Sequence, residues 1–495
     1  MKMVKSLLLG SAAGLIAVAG AQAADLPVKA KAVEYVKVCS LYGVGYYYIP
    51  GTDTCIKIGG YVRYEAYHNY TTGNYVDRNV VGRFTRNSET FAQQARFRLT
   101  TDVRTQTEYG TLRSYFSFGL NWLNSQDDNA LPAGVGNFAF ALERAFIQFA
   151  GFTFGRSDTF FGFYNGAAYG LVPLLLDGSS GPSGHNVAAY TWQFGNGLSA
   201  TISIEDASSR AKPITDLNAA FIGGANDAAG QKVPDIVGNI RVDQAWGSAQ
   251  IMGALHQVSA RYYNAPTPGF GACLAGNAST TVCDAPADEW GWAVGGGLTL
   301  KMPWDAKDTL SGVIAYSKGA TGFVAYGNPG GNFIHKQGLS IGATSDAVYG
   351  VFGGQGSNLE LTQAWGGSLA FEHYWTPSLR TSIVGAFLDV SYSDQAKAMI
   401  AATGCGAALG TGAIVVPAAG CNPDFSLWRV ASRTMWNPVQ NLDIGVEVAY
   451  TKIDTGFAGP GVLTTAQNGL AAGAYNVESD GYWSAAFRVQ RNFWP

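Results

Sequence analysis

A chain of 495 residues can bury a large core, yet only 14% of it is charged, against about 25% in soluble domains. The formal net charge of −3 is spread without long runs, which excludes a basic nucleic-acid-binding tail or a polyelectrolyte segment. Much of this surface therefore meets something less polar than water.

The first 23 residues have the features of an export signal: Lys2 and Lys5, an apolar run from Leu7 to Val18, then Ala21-Gln22-Ala23 as a small-x-small cleavage pattern. Cleavage there leaves 30 basic against 35 acidic residues, a net charge of −5. No later apolar stretch approaches the roughly 18 to 20 residues of a spanning helix. Any membrane crossing must use strands.

Beyond the leader, period-2 alternation marks sixteen strands. They fall at 54–67, 89–104, 110–123, 137–149, 152–158, 186–194, 198–206 and 235–245. The second half holds 247–258, 289–300, 308–317, 361–375, 379–392, 425–437, 441–453 and 479–493. Connections after even-numbered strands are short, such as Gly195-Asn196-Gly197 and Thr376-Pro377-Ser378, whereas those after odd-numbered strands are long, as at 207–234, 318–360 and 393–424. A soluble sandwich has no reason to sort its loops by parity. A 16-stranded antiparallel transmembrane β-barrel has one, because its periplasmic turns are short and its external loops long.

The strands also have two faces. Leu198, Ala200, Ile202 and Ile204 alternate with Ser199, Thr201, Ser203 and Glu205. All twelve tryptophans lie near predicted strand ends or in connections. Trp122, Trp290, Trp292, Trp365, Trp428 and Trp483 group at the long-loop end; Trp192, Trp246, Trp304, Trp375, Trp436 and Trp494 group at the other. Two interfacial girdles explain this; a soluble core would place several tryptophans mid-strand.

A 16-stranded barrel is too wide for its side chains to fill, so its polar face lines water. In residues 95–104, Phe97, Leu99 and Val103 face lipid, and Arg96, Arg98, Asp102 and Arg104 face the lumen. An arginine on lipid at mid-membrane would cost about 2–4 kcal/mol. The same parity points Arg63, Arg96, Arg98, Arg113 and Arg144 inward from adjacent strands, as a basic wall of a pore constriction. The alternative is that they pair with Glu65, Asp102 or Glu143. Arg380, Arg429, Arg433 and Arg488 also face inward.

The third long connection, 159–185, contains Leu171, Val172, Pro173, Leu174, Leu175 and Leu176, too apolar for an exposed loop. It is expected to fold into the barrel, with Asp158 and Asp177 facing the arginines across the gap. Opposed charges there would focus a field across the pore.

The six cysteines, Cys39, Cys55, Cys273, Cys283, Cys405 and Cys421, allow 15 pairings. They form three near-neighbour pairs without zinc-site spacing, so local disulfides fit an oxidising compartment. Buried free thiols are the alternative. The five histidines show no HExxH, Gly178-Ser179-Ser180-Gly181 is no GxSxG elbow, and no phosphate loop occurs. Neither a catalytic centre nor a cofactor or metal site is expected.

Residues 36–67, "VKVCSLYGVGYYYIPGTDTCIKIGGYVRYEAY", closely resemble the N-terminal signature of the alphaproteobacterial porins of rhizobia, bradyrhizobia and brucellae. "ERAFIQFAGFTFGR", "HYWTPSLRTS" and "WNPVQNLDIGVEVAYT" resemble that family's other blocks, so the resemblance covers nearly the whole mature chain. It implies a sixteen-stranded outer-membrane barrel, usually a homotrimer, passing small hydrophilic solutes and ions passively and narrowed by its third external loop. The family's cysteine pair matches Cys39 and Cys55, and its constriction loop matches 159–185; the other cysteine pairs rest on spacing alone. Such chains commonly finish on phenylalanine, whereas here Trp494 and Pro495 follow Phe493.

The expected organisation is a signal peptide at 1–23, an N-terminal periplasmic closing segment at 24–53 and a porin barrel at 54–495. The expected partners are membrane lipid, lipopolysaccharide, solutes and two further copies of the chain. A substrate-selective channel is the first alternative, an outer-membrane adhesin the second.

Overall fold

The computed structural model describes residues 38–69, 91–123, 137–164, 168–172, 178, 184–218, 221, 226–265, 267–269, 283–325, 331–335, 338–403, 405, 414–415, 420–463 and 473–493. The leader at 1–23, residues 173–177, Cys273 and Trp494 lie outside them, and so do the expectations placed there.

Sixteen long strands form one closed antiparallel sheet. They are β1 (Thr54–His68), β2 (Phe91–Thr107), β3 (Gly110–Leu123), β4 (Asn137–Phe149), β5 (Phe152–Ser157), β6 (His185–Gly195), β7 (Leu198–Glu205) and β8 (Asp235–Gln244). Then come β9 (Gly247–Val258), β10 (Glu289–Lys301), β11 (Thr309–Lys318), β12 (Gln363–Thr376), β13 (Leu379–Ser391), β14 (Phe425–Trp436), β15 (Leu442–Thr455) and β16 (Asp480–Asn492). Each pairs with its sequence neighbours, and β1 pairs with β16 from Tyr61↔Asn492 to His68↔Ala485, which closes the barrel. Closure leaves no free edge over the paired span, the only way a sheet can satisfy its backbone in hydrocarbon.

Below the β1–β16 seam, β1 continues to Thr54 without β16, and Tyr47–Tyr48 pairs with Cys55 and Ile56 on that exposed edge. The Cys39–Cys55 disulfide ties the added strand down. Tight turns match the sequence: Asn196 and Gly197 both have positive φ, and a Cβ at Gly197 would lie 1.9 Å from the Asp243 carbonyl oxygen, so glycine is required there.

The two faces separate as the alternation demands. Ile202 is 51% exposed toward the membrane, while its neighbour Ser203 is 1% exposed. Most described tryptophans are exposed on this outer face, Trp375 and Trp483 among the most.

The interior is not simply open. On the external half of β8 to β15, inward-facing Val237, Met252, Val313, Leu388, Leu427 and Ile453 form one apolar cluster with side chains from the long loops. The loop contribution comes from Phe161, from Leu217 and Phe221, from Phe323, Val324 and Ile341, and from Met399 and Ile400. Several loops therefore narrow the lumen, where the sequence pointed to the third alone. The loops also form sheets of their own, including a parallel pairing of Ile214–Asp216 with Ala347–Tyr349.

Candidate pore and its walls

One sector of the inner wall is charged. Across β1 and β2, Arg63 lies opposite Arg96, and Tyr61 opposite Arg98. Directly opposed like charges destabilise a sheet, so each arginine needs a partner. Glu143 receives Arg96, together with Arg98 Nε at 2.7 Å. Glu65 receives Arg488 of β16 at 2.5 Å and lies 3.6 Å from Arg63. Arg96 also donates to the Tyr61 hydroxyl at 3.0 Å and to Asn121 at 2.6 Å, and Arg63 donates to Gln490 at 2.7 Å.

Four arginines against two glutamates leave this middle tier with two net positive charges. A pair counted alone is weak evidence for stability, since desolvation offsets its attraction. As an array, the tier holds guanidinium groups at fixed positions on a wall.

The other two arginines of the expected cluster lie elsewhere. Arg113 sits nearer the periplasmic turn, where it shares Asp102 with Arg104 at 2.8 and 2.9 Å. Tyr42 and Tyr46 of the N-terminal segment stack on Arg104. The Tyr46 hydroxyl is pushed up to about 12, by burial first and then by its hydrogen bond to Asp102. Arg144 turns to the root of the third loop, where it pairs with Asp158 and donates to the Glu143 carbonyl at 2.7 Å. Asp158 thus stands on the same wall as the arginines instead of facing them, and Asp177 is outside the described residues.

The third loop runs along the inner wall and reaches the middle tier. It leaves β5 anchored on buried Glu205, which accepts from the Thr159 hydroxyl at 2.6 Å and the Phe160 N–H at 2.8 Å. It then contacts inward-facing groups on successive strands: Asn239 donates to the Phe160 carbonyl and Gln250 to the Gly162 carbonyl. Farther along, the Tyr164 hydroxyl meets Ser368, that of Tyr169 meets Ser311, and Ser382 donates to the Tyr169 carbonyl. The Leu171 N–H donates to Glu447, and Arg488 donates to the Leu171 carbonyl. Of the apolar stretch that marked this loop in the sequence, Leu171 and Val172 are described, and they pack with Tyr67, Ala92, Met435 and Ala486. Gly297 on β10 makes room for the loop, since a Cβ there would lie 2.2 Å from the Phe163 ring.

The acids that receive the loop, Glu205 and Glu447, were not singled out as sites in the sequence; their inward parity was the available signal. Inward Arg429 pairs with Glu447, and Arg433 and Arg380 with Glu372.

The barrel thus combines short turns at one end, a charged stretch of inner wall and a loop laid along the inside from β8 to β16. A family model described as a porin subfamily matches residues 25–479. The chain belongs to that family. Porin Omp2b of Brucella suis biovar 1 is 31% identical over 387 residues, 74% of this chain and 99% of the relative. Porin Omp2b of Brucella abortus (strain 2308) gives the same figures. Among solved structures, the outer-membrane channel DcaP of Acinetobacter baumannii superposes with a TM-score of 0.54 at 14% identity, covering 90% of this chain and 99% of that one; this likeness supports the fold. The protein is thus a general diffusion porin of the outer membrane.

Two cysteine pairs are bonded, Cys39–Cys55 and Cys405–Cys421, with Cα atoms 6.1 and 5.9 Å apart. Cys283 is also disulfide-bonded; its expected partner Cys273 is outside the described residues.

Proposed function

We propose that solutes cross this porin passively along a water-filled path bounded on one side by the middle arginine tier of β1, β2 and β16. On this reading the third loop, docked on β8 to β16, forms the other side. The observation that carries it is the division of the inner wall: on the external half of β8 to β15 loops pack on a cluster of apolar inward residues, while the inward residues of β1 and β2 are mostly charged or polar, with Arg63, Glu65, Arg96 and Arg98 among them. Only the second sector would remain stable beside water. The solutes are small and hydrophilic, and no bound cofactor takes part.

Three further proposals complete the reading. Residues 1–23 are removed on export, and the segment up to residue 53 closes the periplasmic seam. The barrel works as a homotrimer, as the family resemblance implies. Its outer face meets phospholipid and lipopolysaccharide.

The test is conductance of purified, unheated protein in a planar bilayer, in symmetric salt and then in a gradient. Stepwise openings in sets of three support the reading. Folded, inserted protein that gives no steps overturns it, and steps blocked saturably by one solute would make it a substrate-selective channel.

A further inference from the structure

The register of β3 and β4 slips once. Ser117 faces Arg144 and Phe118 faces Leu142, so Glu143 is the extra residue of a β-bulge. A bulge re-aims side chains, and here it turns both Glu143 and Arg144 into the interior.

The inserted carboxylate is 2% exposed. It lies behind the arginine tier, taking Arg96, Arg98 at 2.7 Å and the Ser117 hydroxyl at 3.2 Å. Gly119 leaves the space it uses: a Cβ there would lie 2.7 Å from Arg96 Nη2 and 3.0 Å from Glu143 Oε1. Arg98 stays 30% exposed at its side chain while its Nε is held from behind.

We propose that Glu143 is the residue that sets the charge selectivity of this channel, through the arginines it positions. The proposal rests on the middle tier lining the passage. Glu143 does not touch the permeating ion; it fixes the aim of Arg98 and cancels one of the tier's charges. Its removal raises the net charge from two to three. A unit charge about 7 Å from an ion in water changes that ion's local concentration roughly threefold. Acting oppositely on anion and cation, it changes their permeability ratio several-fold, less at high salt.

Replacing an arginine by alanine is the poorer probe, because it takes every hydrogen-bond donor of that side chain away from buried Glu143, whereas glutamine removes the charge and keeps an N–H donor. The test is reversal potential in a potassium chloride gradient for E143Q, R96Q and the double variant R96Q/E143Q. Folding is checked by the heat-dependent gel mobility of each barrel. E143Q is expected to raise the chloride-to-potassium permeability ratio several-fold, and R96Q to lower it. The double variant restores the net charge and is expected to return near wild type.

An E143Q channel with an unchanged ratio overturns the proposal. If E143Q does not fold, R96Q decides, and an unchanged ratio there also overturns it. Failure of the underlying reading looks different: R63Q, R98Q and E143Q would then all leave both conductance and potential untouched.

Discussion

Gly296 and Gly297 are adjacent on β10 and face opposite ways, which makes them a matched pair for testing how the third loop is held. A Cβ at Gly296 points to the membrane and meets nothing nearer than the Gln250 carbonyl oxygen at 3.7 Å. A Cβ at Gly297 points to the lumen and would sit 2.2 Å from Phe163 Cγ and 2.4 Å from its Cδ1. Ordinary carbon contacts need about 3.5–4.0 Å, so the ring must move by more than 1 Å. Phe163 lies between two anchors, the 3.1 Å bond from Gln250 to the Gly162 carbonyl and the 2.6 Å contact between the Tyr164 and Ser368 hydroxyls. Overpacking costs about 1–3 kcal/mol and each strained hydrogen bond about 1 kcal/mol. For G297A a total near 3 kcal/mol is reasonable, a shift of roughly a hundredfold between docked and displaced loop. G296A should be neutral or slightly stabilising, because alanine narrows the unfolded ensemble. Single-channel recording is the assay. G297A is expected to give lower mean conductance with added flicker, since the loop is pushed toward the axis and held less firmly, and G296A to match wild type. Identical traces from all three proteins would refute the docking of Phe163 on the β10 wall.

Removing the Cys39–Cys55 bridge with paired serines frees a link 16 residues long, worth about 3 kcal/mol in the chain-entropy model. The temperature at which folded barrel converts to the slower gel species should fall, and reductant should then no longer affect it through this bond. The external loops should respond to pH through Asp216 and Asp227, both held above the usual carboxylate range, chiefly by burial and, for Asp216, also by repulsion from Asp227. Protonation favours the folded loops, so their stability is fullest below about pH 4 and is lost as pH rises through the raised folded values. Hydrogen exchange corrected for intrinsic rate should show 214–218 and 226–229 better protected at pH 4 than at pH 8. D227N keeps an acceptor for the Asp216 N–H, bonded at 3.1 Å, and is expected to flatten that difference.

The barrel was legible because its rules are local. Alternation found all sixteen strands, with ends off by at most three residues, and loop parity gave their orientation. Inward parity correctly turned Arg63, Arg96, Arg98 and Arg113 to the lumen. It could not say which of them meet, because contacts between strands depend on stagger. Arg63 and Arg96 meet in the middle tier, while Arg113 lies in a lower one with Asp102.

The bulge, by contrast, was visible. Phe140 and Leu142 share one parity, and Ala145, Ile147 and Phe149 share the other, so the outward period slips between Leu142 and Ala145, where Glu143 is inserted. Reading β4 as unbroken alternation hid it. The loop architecture had no such trace, since the pairing of 214–216 with 347–349 joins segments more than 130 residues apart.

The two halves of the inner wall explain each other. Apolar inward residues such as Val237, Val313 and Leu388 would be costly beside water, and they occur where loops cover them. Charged inward residues such as Arg96 and Arg98 would be costly under an apolar loop, and they occur outside the apolar loop core, whereas those that lie buried are paired, as Arg429 is with Glu447 and Arg488 with Glu65 and the Leu171 carbonyl. Loop packing and channel chemistry are therefore one design problem. Every loop side chain added to the apolar sector pushes the path for solutes toward the arginines, where the field of the tier is strongest. A mutation that loosens the packing of Phe161, Phe323 or Leu388 should then weaken selectivity without touching a charge, because ions gain a route farther from the charged wall.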